Sequence, residues 1–211
     1  MKKRVKVSLI SMLTICLTIL GTTAINSASM KQRNLVDLIS LSEMIVVGDV
    51  ISVTDGIENN IPYTEITVAI KETIRGDISG TYSFRQFGLI QPRVMDDGRT
   101  NLMVSPDGWP TYQDGQEVVL FLYKSARITG FRTTVGLFQG KFDIVDGQIH
   151  NRINNNGLFA NMAFDKGLLN RAEEKILLTE QGAIDAELFI SVVRKAVQQR
   201  WVEERSMRHD D

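Results

Sequence analysis

The sequence predicts a mainly β protein, a barrel or sandwich of five or six short strands with a short helix before it and an amphipathic helix after it. Three observations carry this. Side chains alternate apolar and polar from Thr64 to Ile74, runs of apolar residues as short as strands recur at hairpin spacing, and the spacing turns helical only near the C-terminus.

The chain has 211 residues, and its first segment reads as an address. Lys2, Lys3, Arg4 and Lys6 precede the uncharged run VSLISMLTICLTIL of residues 7–20, the charged-then-apolar pattern of a secretory signal peptide. Ala24 and Ala28 offer the two cleavage points, and residues 1–28 are expected to be removed. The apolar run is short against the ~20 residues that span a bilayer, so no stable membrane span is expected afterwards. Ile15 before Cys16 does not suit lipoprotein processing. Cys16 is the one cysteine, so the mature chain has no disulfide or thiol and must draw its stability from burial. Residues 1–28 hold four of the 24 basic side chains and none of the 25 acidic ones, which leaves a formal net charge of −5. That balance argues against nucleic acid as a partner.

The elements follow in order. Asn34 to Glu43 places Leu35, Leu38, Ile39 and Leu41 near helical spacing and predicts a short helix over one end of a sheet. Residues 45–53 (IVVGDVISV) are apolar on both faces, which predicts a central strand with Gly48 at a bulge or close backbone approach. From Thr64 to Ile74, Ile66, Val68, Ile70 and Ile74 share one face, and Glu65, Thr67, Lys71 and Thr73 share the other. A third strand is expected over 80–90 and a fully buried fourth over Glu117 to Tyr123, with one or two more between 128 and 145. Asp146-Gly147 between FDIV and QIH predicts a two-residue hairpin turn, because both positions of a type I′ turn take positive φ. Residues 151–181 give no clear pattern. From Asp185, a reasonable N-cap, Leu188, Phe189, Val192, Val193, Ala196, Val197 and Trp201 recur every three or four residues, which predicts a helix packed on the sheet. The division expected is 1–28 signal peptide, 29–181 β domain, 182–205 packed helix and 206–211 frayed tail.

The segments LSEMIVVGDV, TEITVAIKETIRG, FRQFG, DGQEVVLFLY and VGLFQGKFDI, spanning Leu41 to Ile144, resemble in order a family of exported bacterial proteins to which no reaction is assigned. Its members carry Ala-Asp at Glu43-Met44 and Lys-Gly at Arg75-Gly76. More distantly, the order of elements is similar to the OB-type barrel of netrin modules and tissue inhibitors of metalloproteinases. The resemblance implies a small OB-like barrel, closed or partly open. Those inhibitors chelate their target's zinc with an N-terminal cysteine, which the mature chain lacks, so that mechanism does not carry over.

Chemistry-bearing patterns are sparse. A Ser-His-Asp site needs a histidine, and His150 follows the Asp146-Gly147 turn as a solvated hairpin residue while His209 sits in the expected tail. Two distant histidines and no mature cysteine do not assemble a zinc site. No cofactor is expected, with calcium as the alternative, because Asp96, Asp97, Asn101, Asp107 and Asp114 crowd one connection without EF-hand spacing. GLFQGK looks like a phosphate loop but has three residues between its glycines and Phe142 where a hydroxyl belongs, so its glycines are read as relieving crowding in a curved strand. No carboxylate pair stands out for glycoside chemistry.

The connection from Gln91 to Gln116 is about twice the ~12 residues beyond which a structureless loop is uncommon, and it carries Trp109, Pro110 and Tyr112. Rigid amphipathic side chains of this kind concentrate at interaction hot spots. Its alternative is a loop with a short hairpin whose Trp109 folds back on the domain. Tyr82, Phe84, Arg85 and Phe87 lie on the strand that OB barrels use for ligands. The expected partner-binding set is therefore Trp109, Tyr112, Arg85 and Gln86. The function expected is an exported, periplasmic or extracellular, non-enzymatic binding or assembly module that recognises a protein or glycan of the cell envelope or exterior. A hydrolase built on cleft carboxylates and a structural envelope component are the alternatives.

Overall fold

The computed structural model describes residues 30–210, so the signal-peptide and cleavage expectations lie outside the described residues. Lys31–Asp211 forms one compact unit.

Asn34 caps helix α1 (Leu35–Leu41) by accepting from the Asp37 N–H at 3.1 Å. Strand β1 (Met44–Glu58) then turns into β2 (Ile61–Arg75) through Asn59 and Asn60, both at positive φ (50° and 63°). Asn tolerates that left-handed geometry better than most residues. The hairpin extends both strands well beyond the 45–53 and 64–74 runs that the sequence marks. Gly48 sits at a register shift against β2, and a Cβ there would stand 2.3 Å from the Ala69 carbonyl oxygen, so the close approach admits glycine alone.

Strand β3 (Thr81–Phe87) pairs with β2. The long connection contains a small hairpin, β4 (Arg93–Val94) with β5 (Thr100–Asn101), before β6 (Glu117–Leu122) returns to pair with β1. Strands β7 (Lys141–Val145) and β8 (Gln148–His150) meet at Asp146-Gly147, whose φ values of 51° and 73° are those of the expected turn. A short β9 (Met162–Phe164), helix α2 (Arg171–Ile176), β10 (Ile184–Asp185), helix α3 (Ala186–Gln198) and β11 (Met207–His209) complete the chain. The main sheet is antiparallel with seven strands in the order β10-β8-β7-β6-β1-β2-β3, and its two edges do not pair with each other.

Burial explains the order. In β1, Ile45 and Val47 face one core while Met44 and Val46 face another; in β6, Val119 and Phe121 divide from Val118, Leu120 and Leu122 in the same way. Strands apolar on both faces therefore hold the middle of the sheet. The larger core joins α1 and α3 to the sheet through Phe121, Phe142 and Phe189, whose ring centroids stand 5.1 to 6.3 Å apart. The smaller gathers side chains of β1, β2, β3 and β6 with Tyr112.

Three expectations give way. Between 128 and 140 there is a loop and a 3-10 turn (Leu137–Gly140) rather than strand, and the GLFQGK glycines serve that turn, with Gly136 at φ 62°. The helix stops at Gln198, short of 205, and Arg200 at φ 55° turns the chain so that buried Trp201 donates its N–H to the Ala196 carbonyl at 2.9 Å. Residues 207–209 of the expected tail are paired rather than frayed, because Met207 is fully buried and β11 pairs with β9.

Candidate binding surface

Alternation along β3 sends Phe84 and Gln86 inward and leaves Arg85 and Phe87 outward. Gln86 is 2% exposed; its Nε2 donates to the Pro110 carbonyl at 2.9 Å, which ties the long connection to the strand, and its Oε1 has no partner. Tyr112 is likewise inside, edge-on to Phe84 at 5.9 Å and beneath the Lys141 ammonium at 5.3 Å, its hydroxyl beside the Thr134 side chain but without a well-aligned hydrogen bond. Burial pushes the Tyr112 phenol pKa up and the Lys141 pKa down, the latter against the attraction of Asp143. Both Gln86 and Tyr112 wall a 330 Å³ hollow under the connection, but their orphaned atoms are buried rather than presented to it. Arg85 is committed elsewhere: its Nε donates to Glu65 at 2.6 Å, its Nη1 to Glu58 at 3.0 Å, and its guanidinium stacks 4.1 Å over the Tyr63 ring.

Of the four expected contact residues, Trp109 alone lines the apolar groove. Its ring meets Phe87 edge-on at 6.4 Å, and the two line a 560 Å³ groove with Leu41, Ile61, Tyr123 and Phe131. Lys124 and Arg132 stand at its rim. Gln86, Tyr112 and Arg85 do not join them, because the pleat turns the first inward, the core takes the second and two carboxylates hold the third.

The loop forming the far wall escaped the sequence reading, which took residues 128–145 for strand. It is a narrow prong. The Ala126 N–H donates to Phe131 and the Gly130 N–H to Ala126 at 2.7 and 2.8 Å, closing a turn over residues 127–129. At its base the Tyr123 N–H donates to Thr133 on one side, and the Arg132 N–H donates to the Arg85 carbonyl of β3 on the other. A signal was present: from Lys124 to Thr134 there is no acid, and Thr129-Gly130 follows a lone Ile128.

The remaining candidates are dispersed. Asp97 pairs with Arg99, whose guanidinium and N–H hold its carboxyl below the usual range, and Asp107 pairs with Arg152. Among the described residues, no three His, Cys, Asp or Glu side chains converge as metal ligands would. His209 lies 3.4 Å from Asp37 and 3.2 Å from the Asn34 amide, tying β11 to α1, while His150 is half-buried in β8.

Fold and site define a class, an antiparallel sheet backed by helices, with an aromatic groove between the end of α1, Trp109 of the long connection and the 124–133 loop. Comparison with family models, curated proteins and solved structures finds no match for the chain.

Proposed function

We propose that the chain is an exported, non-enzymatic binding module of the periplasm or exterior, whose groove beside Trp109 takes an apolar anchor from a protein partner. The observation that carries this is the groove itself, a concave site of 560 Å³ walled by four aromatic rings, in the size range of ligand and hot-spot pockets. A glycan needs convergent polar groups, and this groove has few, so a protein is favoured over a sugar. The hydrolase reading draws no support from the acids whose pKa departs from the usual: Asp97 and Glu173 both move down, the wrong direction for a general acid.

The OB-like reading belongs here too. Residues 131–135 bridge β3 and β6, with Arg132 donating to the first and Val135 donating to the Phe121 carbonyl of the second at 2.7 Å. We take β1, β2, β3 and β6 with that bridge as a partly open barrel, similar to that of netrin modules. The family resemblance from Leu41 to Ile144 and the N-terminal address pattern support export.

The test is a photo-crosslinking residue in place of Thr129 in exporting cells. Discrete protein adducts that vanish with Trp109→Ala are expected. Adducts unchanged by Trp109→Ala, or none at all, would overturn the reading.

A further inference from the structure

The prong carries charge of one sign and an apolar tip. Lys124, Arg127 and Arg132 are the charged residues of 124–134, and among the described residues none of them is paired with a carboxylate. This cationic cluster stands on a chain whose residues after 28 sum to −5. Ile128 at the turn is 94% exposed, more than any other large apolar side chain in the described fold. One exposed isoleucine is ordinary. Its setting is not, since hydrogen bonds across 126–131 hold it at a fixed tip, basic residues flank it, and Trp109, Tyr123 and Phe131 lie just behind.

Aliphatic tip, aromatic belt and unpaired cations match the layers of an anionic bilayer surface, where apolar groups enter the acyl boundary, Trp and Tyr settle among headgroups, and Lys and Arg meet phosphates. We propose that residues 124–130 rest the protein on an anionic lipid surface, with Ile128 entering the boundary and the exposed Lys124 and Arg127 contacting lipid phosphates, while Arg132, bonded to Ser125 and lying over the Tyr82 ring, braces the base of the loop. The contact is peripheral, as no helix among the described residues is long and apolar enough to cross a membrane. One apolar side chain with two exposed cations makes a reversible contact that weakens with salt. This goes beyond the groove's protein partner and depends on the export reading only for its setting.

The experiment is co-sedimentation of the processed protein, recovered from exporting cells, with vesicles of phosphatidylglycerol mixed with phosphatidylcholine and with vesicles of phosphatidylcholine alone. Binding to the first and not the second is expected, with a loss of about fivefold for each charge removed. Ile128→Asp and Arg127→Glu should each weaken it by roughly tenfold or more. Both positions are exposed, and an unchanged thermal midpoint will exclude unfolding as the cause. Arg127→Glu should lose vesicle binding while keeping the Thr129 protein adduct that Trp109→Ala removes, which separates failure of this proposal from failure of the groove reading. Equal binding to both vesicle types, no binding to the anionic ones, or wild-type binding by Ile128→Asp and Arg127→Glu would overturn it.

Discussion

The two cores flanking the sheet are built to different standards. On the helix side, Phe121, Phe142, Phe189, Val192 and Trp201 are packed with no orphaned polar atom among them. On the other side, Met44, Val46, Ile66, Val68 and Phe84 share their space with Tyr112, whose hydroxyl lacks a well-aligned partner, and Gln86 Oε1, buried on β3, has none. Buried polar groups without partners cost stability, so the second core is the weaker. The groove draws on neither core's fully buried side chains: Leu41 ends α1, Tyr123 packs on the helix-side core, and Trp109, Phe87 and Phe131 stand outside both.

Substitutions can break or sharpen that contrast. The largest effect is expected from Phe189→Ala, which opens a cavity among three rings and should cost about 4 kcal/mol in denaturant unfolding; a cost near 1 kcal/mol would mean that the helix side is not the tighter core. Lys195→Met comes next. Glu173 is fully buried, caps α2 by its bond to the Asn170 N–H, and depends on Lys195 at 2.6 and 2.8 Å. Leaving it unpaired should cost about 3 kcal/mol, whereas Glu173→Gln, which frees a lysine that can reach water, should cost less.

The same pair sets an acid limit. Burial alone would raise the Glu173 pKa, but the Lys195 ammonium, the Asn170 N–H and the Ser191 hydroxyl together hold it below its ordinary 4.5. A folded-state pKa lowered in this way stabilises fully above pH 4.5 and progressively less as pH falls through the lowered value. Unfolding midpoints followed downward from pH 6 should therefore decline below that point, and Glu173→Gln should flatten the decline.

Gly48→Ala should cost about 2 kcal/mol by forcing β1 from the Ala69 carbonyl. The smallest effect has the opposite sign. Tyr112→Phe removes a buried hydroxyl whose one polar neighbour, the Thr134 side chain, is poorly aligned, and should be neutral or stabilise by up to about 1 kcal/mol; a loss of more than that would show the hydroxyl to be well bonded to Thr134 and this core fully satisfied.

Much of the scaffold was legible because one-dimensional pattern and three-dimensional burial coincide there. IVV before Gly48 and VVLFL in β6 are apolar on both faces because both faces are covered. Asp146-Gly147 and the Asp185 cap are local chemistry, and the Leu188 N–H donates to Asp185 at 2.9 Å. The site was less legible. Phe131-Arg132-Thr133-Thr134-Val135 has the composition of a strand, yet it bridges β3 and β6 with only scattered backbone bonds, a fact of tertiary structure. Tyr112 and Trp109 are equivalent in the sequence, aromatic residues in one proline-bearing connection. Which turns inward is decided by the room beside Phe84 and the bond from Gln86 to Pro110, neither of which the sequence displays.

The most direct test measures stability and contact on the same variant. Trp109→Ala should leave the thermal unfolding midpoint within a degree or so of the parent, since its ring lies outside both cores, and should abolish the Thr129 crosslink. A midpoint that falls as far as that of Phe189→Ala, or a crosslink of undiminished yield, would make Trp109 part of the packing and remove the groove from the account.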